Sequence, residues 1–154
     1  MTGKRSAGIL LYRTTTGRTE VLLGHMGGPF WARKDDGAWS IPKGEYESGE
    51  QPQAAARREF TEELGLPVPD GELVDLGEVR QSGKTVTVWA LHGDLDPADV
   101  VPGTFDLEWP PRSGRIQRFP EIDRAAWFDL TAAETKLVKG QRPFLARLAE
   151  WLSG

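Results

Sequence analysis

Runs of apolar residues separated by polar turns predict several short β-strands along the chain. SAGILLYR and EVLLGH are joined by the polar turn TTTGRT and predict a first strand pair. AWSIP predicts a short strand that ends at Pro42, where the β-ladder loses a hydrogen-bond donor. LVDLGEVRQ and KTVTVWALHG flank Ser82 and Gly83, a pair typical of a two-residue hairpin turn. TFDLEW and AAWFDL predict two more strands, with the basic, proline-bounded loop PPRSGRIQRFP between them.

Other segments have apolar residues three to four positions apart, which is the spacing of a helix that buries one face. PQAAARREFTEEL begins with a proline, is followed by a glycine, and carries Ala56, Phe60 and Leu64 on one face. Further on, TAAETKLVKG predicts a helix up to Gly140, and RPFLARLAEWL predicts a last amphipathic helix. This order of elements indicates an α+β layered fold in a single domain over residues 1–154.

Composition and charge restrict the classes of partner. The chain has 154 residues, no cysteine, and a formal charge of −4 from 19 basic and 23 acidic residues. This balance argues against a broad basic face, so we expect no stable nucleic-acid partner, while phosphate-rich substrates stay possible where divalent cations reverse the local field. The apolar run near the N-terminus is too short for a signal peptide, and no stretch has the roughly 20 apolar residues of a membrane span. We therefore expect a cytoplasmic protein without a membrane partner.

The internal helix carries three closely spaced glutamates. Glu59 and Glu63 are four positions apart and Glu62 is three beyond Glu59, so all three side chains fall on one side of the helix. Like charges at this spacing repel, but hard divalent cations prefer oxygen ligands of this kind. The pattern therefore favours a metal site, and a solvated helix surface is the alternative.

The segment before the helix adds to this pattern. Gly44 and Gly49 in IPKGEYESGE favour a tightly bent loop, which can bring backbone carbonyls, including that of Lys43, beside the same metals. Arg58 is adjacent to Glu59 and can hold a carboxylate through its rigid fork of donors. Glu50 is a second partner for Arg58, and this pair would close the loop onto the helix.

The spacing of these residues resembles the Nudix box, a motif of 23 residues. The box positions that match are Gly44, Glu50, Arg58, Glu59, Phe60, Glu62, Glu63, Gly65 and Leu66. The resemblance implies an α/β/α sandwich with a mixed β-sheet. It also implies Mg²⁺- or Mn²⁺-dependent hydrolysis of a nucleoside diphosphate linked to another group, by a monomer or homodimer.

The same resemblance assigns roles to the box residues. Glu59 and Glu63 are implied as the main metal ligands, and Glu62 as a further ligand or the base that deprotonates water. Glu63 and Arg58 are counted with Glu62 in the catalytic set, and Arg58 and Glu50 support the ligands. The remaining positions are implied as structural: Gly44, Phe60, Gly65 and Leu66.

Several residues outside the fixed positions of the box are further candidates. Lys43 is either a phosphate contact or a surface lysine, and Tyr46 either stacks on substrate or packs. Glu121 is either an additional metal ligand or base, as downstream glutamates are in other Nudix members, or a cap or ion-pair partner of the next turn. Glu108 and Asp106 compete with Glu121 for that role.

The basic loop and the tryptophans are weaker signals. Arginine binds phosphate in a bidentate manner, so a mobile phosphate clamp is one interpretation of this loop, and an ordinary solvated loop is the other. The clamp would consist of Arg112, Arg115 and Arg118. The strand and helix patterns predict core positions for Trp89, Trp127 and Trp151. The base-stacking candidates near predicted loops are Trp31, Trp39 and Trp109.

The resemblance leads to two hypotheses about function. The first is a Nudix pyrophosphohydrolase that acts on a small-molecule substrate, either a dinucleoside polyphosphate or a (deoxy)nucleoside triphosphate. The alternative is a Nudix-fold module that senses a nucleotide without cleaving it; such modules usually lose box carboxylates, and this chain has them all. Gln81 and Ser82 stand where some subfamilies have a characteristic proline or tyrosine, so ADP-ribose and mRNA-cap substrates stay open.

Overall fold

A computed structural model describes residues 4–154, which contain nine β-strands and three α-helices. The strands are β1 (Lys4–Thr15), β2 (Arg18–Met26), β3 (Trp39–Ser40), β4 (Lys43–Tyr46), β5 (Val74–Gln81), β6 (Lys84–His92), β7 (Thr104–Glu108), β8 (Ile116–Pro120) and β9 (Ile122–Asp129). The helices are α1 (Pro52–Leu64), α2 (Leu130–Lys136) and α3 (Pro143–Ser153).

The main sheet is mixed, as predicted. Its strands follow the order β3-β2-β1-β6-β5, with β4 paired to β1 and β9 paired to β2. The β1–β6 pair is parallel, and the other pairs are antiparallel. Strands β7 and β8 form a separate two-stranded hairpin. Strand β8 of this hairpin ends at Pro120 and β9 of the main sheet begins at Ile122, so Glu121 is the single residue between them.

Helices cover both faces of the sheet, which confirms the α/β/α sandwich. Successive strand residues point to opposite faces, so β1 contributes to two cores. Ile9 and Leu11 pack with α1, whereas Leu10 and Tyr12 pack with α2 and α3. From the helices, the fully buried apolar side chains are Ala55, Ala56, Phe60 and Leu64 on α1, Ala133 on α2, and Phe144 and Leu148 on α3.

Two predicted loops contain strands. The segment after Pro42 forms β4 because its backbone pairs with residues 5–8 of β1, a partner that is distant in sequence. The basic segment 110–120 likewise includes β8, which pairs along its length with β7. Local residue preferences do not report such long-range pairing. These two predictions of irregular structure were therefore wrong.

The C-terminal elements and two tryptophans also differ from expectation. Helix α2 ends at Lys136 and does not reach Gly140, because Leu137 is buried and the N–H of Val138 donates to the Trp39 carbonyl at 2.8 Å. Trp39 is only 2% exposed, so it packs in the core and cannot stack on a base. Trp151, predicted in the core, is 48% exposed. Trp89 is buried as predicted.

Within residues 4–154, every helix is too short or too polar to cross a lipid bilayer.

Candidate active site

Helix α1 holds the glutamates, and its ends are fixed by local sequence. Pro52 occupies the first turn, where a missing N–H costs nothing. Gly65 ends the helix with a left-handed φ of 68°, and its N–H donates to the Thr61 carbonyl at 2.8 Å. A β-carbon at Gly65 would also collide with the Val101 carbonyl oxygen. The predicted helix boundaries are therefore confirmed.

Arg58 connects the box loop to the carboxylates of α1. Its Nε and Nη2 atoms donate to the two oxygens of Glu50 at 2.8 and 2.9 Å, forming the predicted bidentate pair. Its Nη1 donates to Glu59 at 2.6 Å and to both oxygens of Glu62 at 3.1 and 3.2 Å. These bonds raise the pKa of Arg58, with Glu50 making the largest contribution. One guanidinium thus fixes three carboxylates, which a lysine cannot do.

Glu59 is more buried than a surface position on a helix would suggest. It is only 8% exposed, and its carboxyl group lies directly against the α-carbon of Gly44 in β4. A β-carbon at Gly44 would overlap that carboxyl group, so the close approach of strand and helix depends on glycine. Burial, followed by the charge of Glu62, raises the pKa of Glu59, while the Arg58 hydrogen bond opposes this increase.

Glu63 has the most perturbed carboxyl group of the cluster. Burial raises its pKa to about 8, and the nearby charge of Glu121 adds to this effect. The Lys43 ammonium and backbone amide oppose the increase. Burial lowers the pKa of Lys43, while the charge of Glu63 acts in the other direction. Lys43 is thus half-buried beside the glutamates and is not an isolated surface lysine.

Glu121 reaches the same cluster from the junction between β8 and β9. Its backbone is held on both sides: Gly27 N–H donates to the Glu121 carbonyl at 3.0 Å, and Glu121 N–H donates to the Gly103 carbonyl at 2.8 Å. Burial and the charge of Glu62 raise the pKa of Glu121. Its charge also raises the pKa of Glu59 and of Glu63. Gly103, whose carbonyl accepts from Glu121, lies against the backbone carbonyl of Glu62, so the junction is close to α1.

The two competitors of Glu121 have other partners. Asp106 accepts a hydrogen bond from Arg118 Nε at 3.3 Å, and Glu108 accepts one from the Gly114 N–H at 2.9 Å. Both bonds lie within the β7–β8 hairpin. Of these three carboxylates, Glu121 acts on the pKa values of Glu59 and Glu63, whereas Asp106 and Glu108 are bound within the hairpin. The role of Glu121 as a ligand or base stays a prediction.

Four carboxyl groups within electrostatic range of one another fit a divalent cation by their chemistry. Their mutual repulsion, together with burial, is the condition that a hard cation would relieve. No group of three or more His, Asp or Glu side chains in residues 4–154 is arranged to hold a metal ion. Instead, Arg58 binds both Glu59 and Glu62. The oxygen donors thus suit such an ion by their chemistry, while in this arrangement the Arg58 guanidinium neutralises part of their charge.

The structure shows the surroundings of the other predicted substrate contacts. Tyr46 is half-buried and packs against the apolar core beneath α1. The three arginines of the predicted clamp are exposed on the β7–β8 hairpin, and Arg118 is paired with Asp106. These residues are Arg112, Arg115 and Arg118. Their roles in substrate binding stay predictions.

The sequence interpretation assigned no role to His25, which is fully buried next to this region. Its ring nitrogens contact the carboxylate of Asp123 and the carbonyl oxygen of Lys34. A histidine at a strand end is an unspecific signal, and the register irregularity that turns Asp123 toward it appears only in the folded sheet. No local pattern could have identified this contact.

The chain is thus an α/β/α sandwich whose internal helix carries glutamates bound by one arginine, and comparison with known proteins identifies its family. The family described as NUDIX domain matches residues 3–148. The chain therefore belongs to the Nudix family, and this membership, with the complete box, supports hydrolase activity.

Individual proteins that resemble this chain share between 14% and 36% of its residues over the aligned regions. A Myxococcus xanthus protein named octanoyltransferase is 36% identical over 112 residues, which is 72% of this chain but only 28% of that protein. A Caenorhabditis elegans Ap4A hydrolase structure covers 98% of both chains with a TM-score of 0.65 and 22% identity. The NUDIX domain of Shewanella oneidensis NrtR, solved with ADP-ribose, has a TM-score of 0.61 and 14% identity, covering 96% of this chain and 87% of that one. The last two similarities concern the fold.

Proposed function

We propose that the protein is a metal-dependent Nudix pyrophosphohydrolase that cleaves a phosphoanhydride bond of a dinucleoside polyphosphate or a (deoxy)nucleoside triphosphate. The observation that carries this proposal is the convergence of Glu59, Glu62, Glu63 and Glu121. Three of these carboxyl groups come from α1 and one from the junction between β8 and β9. The charges of neighbouring members raise the pKa values of Glu59, Glu63 and Glu121. The fold similarity to the Ap4A hydrolase structure over 98% of both chains supports the substrate class.

The proposed cation is Mg²⁺ or Mn²⁺, held by Glu59, Glu62 and Glu63, with the Lys43 carbonyl as a further oxygen donor. When bound, it would neutralise charge on the phosphate oxygens and favour ionisation of an attacking water. Gly44 lets the Glu59 carboxyl lie against β4, and Arg58 fixes this carboxyl and that of Glu62. The ligands are thus oriented before substrate binds, which favours catalysis by electrostatic stabilisation.

The remaining polar groups would have two roles, acceptance of a proton from water and binding of the substrate phosphates. Either Glu121 or Glu62 would accept the proton of the attacking water, a role that requires access to water, and both side chains are exposed. The half-buried Lys43 ammonium, beside Glu63, supplies a positive charge for the substrate phosphates. Arg112, Arg115 and Arg118 remain candidates for a clamp on the distal part of the substrate, and Tyr46 for a stacking contact.

A substitution at Glu63 tests this proposal. We expect Glu63→Gln to lower kcat by at least about 10²-fold, the scale lost when a key electrostatic group is removed. Glu150→Gln is the matched control, because Glu150 is an exposed glutamate on α3, far from the cluster in sequence and on the opposite layer. Turnover is measured with diadenosine tetraphosphate and dGTP in Mg²⁺ or Mn²⁺, with products identified by mass and ¹⁸O-water locating the attacked phosphorus. An unchanged kcat in Glu63→Gln would contradict the role of Glu63.

The same assay separates catalysis from nucleotide sensing. Tight nucleotide binding by the wild-type protein, with no product at any Mg²⁺ or Mn²⁺ concentration, would support the sensor hypothesis. Retention of every box carboxylate favours the hydrolase.

A further inference from the structure

His25 is a buried polar residue, and both of its ring nitrogens have hydrogen-bond partners. It lies in β2, is fully inaccessible, and packs edge-to-face against Trp39 with ring centroids 5.2 Å apart. A buried imidazole needs partners for its ring nitrogens, because an unpaired buried polar group is costly. His25 has partners for both nitrogens, and they come from two different segments of the chain.

Both ring nitrogens of His25 have acceptor groups as partners. Nδ1 lies 2.9 and 3.0 Å from the two carboxylate oxygens of Asp123, and Nε2 lies 2.6 Å from the carbonyl oxygen of Lys34. A carbonyl oxygen only accepts hydrogen bonds, so Nε2–H donates to Lys34. Through its two nitrogens the ring thus links the Asp123 carboxylate to the Lys34 carbonyl.

A β-bulge brings Asp123 into this position. In the pairing of β2 with β9, His25 is opposite Arg124, and Met26 is opposite Ile122. Asp123 is thus the extra residue between two paired positions. Bulges re-aim side chains and occur frequently beside active sites. Here the bulge lies one residue after Ile122 and two residues after Glu121.

The backbone around this bulge is the same backbone that holds Glu121. The Glu121 carbonyl accepts from Gly27 N–H at 3.0 Å, two residues beyond His25 in the chain. The loop that follows Gly27 includes Lys34, whose carbonyl oxygen accepts a hydrogen bond from His25 Nε2. His25 thus connects β2 both to the bulge, through Asp123, and to the loop, through the Lys34 carbonyl.

We propose that His25 is a positioning residue, acting through Asp123 and the Lys34 carbonyl to hold the bulge that aims the Glu121 carboxyl at the glutamates of α1. This inference rests on the proposed function for its catalytic consequence. Its structural part, the dependence of the Glu121 backbone bonds on the contact between His25 and Asp123, is independent of that function. Arg124, 3.8 Å from the Asp123 carboxylate, is too far for a direct hydrogen bond and does not replace His25.

The kinetic test compares His25→Gln with His92→Gln, which changes the other histidine, an exposed residue at the end of β6. His25→Gln is expected to lower kcat about tenfold to a hundredfold with little change in KM, the range typical for partners that orient ligands. His92→Gln is expected to behave as wild type. In a Glu121→Gln background, His25→Gln should lower kcat by less than about twofold, because its effect is transmitted through Glu121.

The outcome of this cycle distinguishes positioning from general structural support. An equal loss of kcat in the wild-type and Glu121→Gln backgrounds would overturn the proposal, and so would a fully active Glu121→Gln variant. If His25→Gln does not fold, Asp123→Asn removes the carboxylate partner instead, and the same non-additive pattern with Glu121→Gln is expected.

Amide hydrogen exchange, measured by NMR, decides the structural part even if the wild-type protein hydrolyses no nucleotide. Exchange at Gly27 and Glu121 should accelerate at least about tenfold in His25→Gln or Asp123→Asn. Unchanged exchange at both amides would refute the inference, whereas absent turnover alone would refute only the proposed function.

Discussion

The elevated pKa of Glu63 predicts that the metal-free protein loses stability as the pH rises. Burial and the charge of Glu121 raise this pKa from an ordinary value of 4.5 to about 8. The folded state therefore binds the Glu63 proton more tightly than the unfolded state does. The resulting stabilisation is fully present below about pH 4 and is lost as the pH rises through about 8.

The size of the effect follows from the difference between the two pKa values. At about 1.4 kcal/mol per pKa unit, the upper limit for Glu63 is roughly 5 kcal/mol. Because the side chain of Glu63 retains some contact with water, we expect a measured contribution of about 2–3 kcal/mol between pH 5 and pH 9. The pKa values of Glu59 and Glu121 are raised in the same direction and add to the slope.

Urea unfolding in EDTA, repeated from pH 5 to pH 9, measures this dependence. Glu63→Gln removes the ionisable group at nearly the same volume, so its free energy of unfolding should fall about 2–3 kcal/mol less than that of wild type over this range. Glu150→Gln should follow the wild-type curve. Parallel curves for wild type and Glu63→Gln would show that Glu63 ionises without cost in the folded protein, and the described cluster would then be incorrect.

Two substitutions test the geometry of the cluster. Gly44→Ala places a methyl group where the Glu59 carboxyl lies, so we expect Mn²⁺ affinity, measured by calorimetry, to fall at least about tenfold. Gly49→Ala, whose new β-carbon would meet open space, should retain affinity, and equal losses in both would discredit the steric argument. Arg58→Lys cannot span three carboxylates, so we expect a loss of about 1–2 kcal/mol in urea unfolding. Wild-type stability in Arg58→Lys would mean that the positive charge of Arg58, and not its set of hydrogen bonds, stabilises the fold.

The sequence predicted the parts of the site that depend on local structure. The period of an α-helix alone places Glu59, Glu62 and Glu63 on one side of α1, and the flanking proline and glycine determine where that helix begins and ends. The Arg58–Glu50 pair was also predictable, because both residues belong to one continuous motif. The pattern of strands and helices was sufficient for the α+β class, and the resemblance to the Nudix box implied the α/β/α sandwich.

Other features depend on contacts between segments that are distant in the chain. The burial of Glu59 against Gly44 requires β4 to pair with β1, and the approach of Glu121 requires the junction of β8 and β9 to meet Gly27. No local preference encodes these pairings, because strand formation depends on the partner strand as much as on the residues themselves.

The contact between His25 and Asp123 shows most clearly what the sequence alone cannot predict. The sequence determined that a glutamate face would exist and what chemistry it would favour, since a helix satisfies its own hydrogen bonds and fixes its own side-chain directions. Only the tertiary structure decided which distant carboxyl would join that face and which buried side chain would hold it there. A one-residue bulge between two strands redirects side chains without leaving a characteristic pattern in either strand.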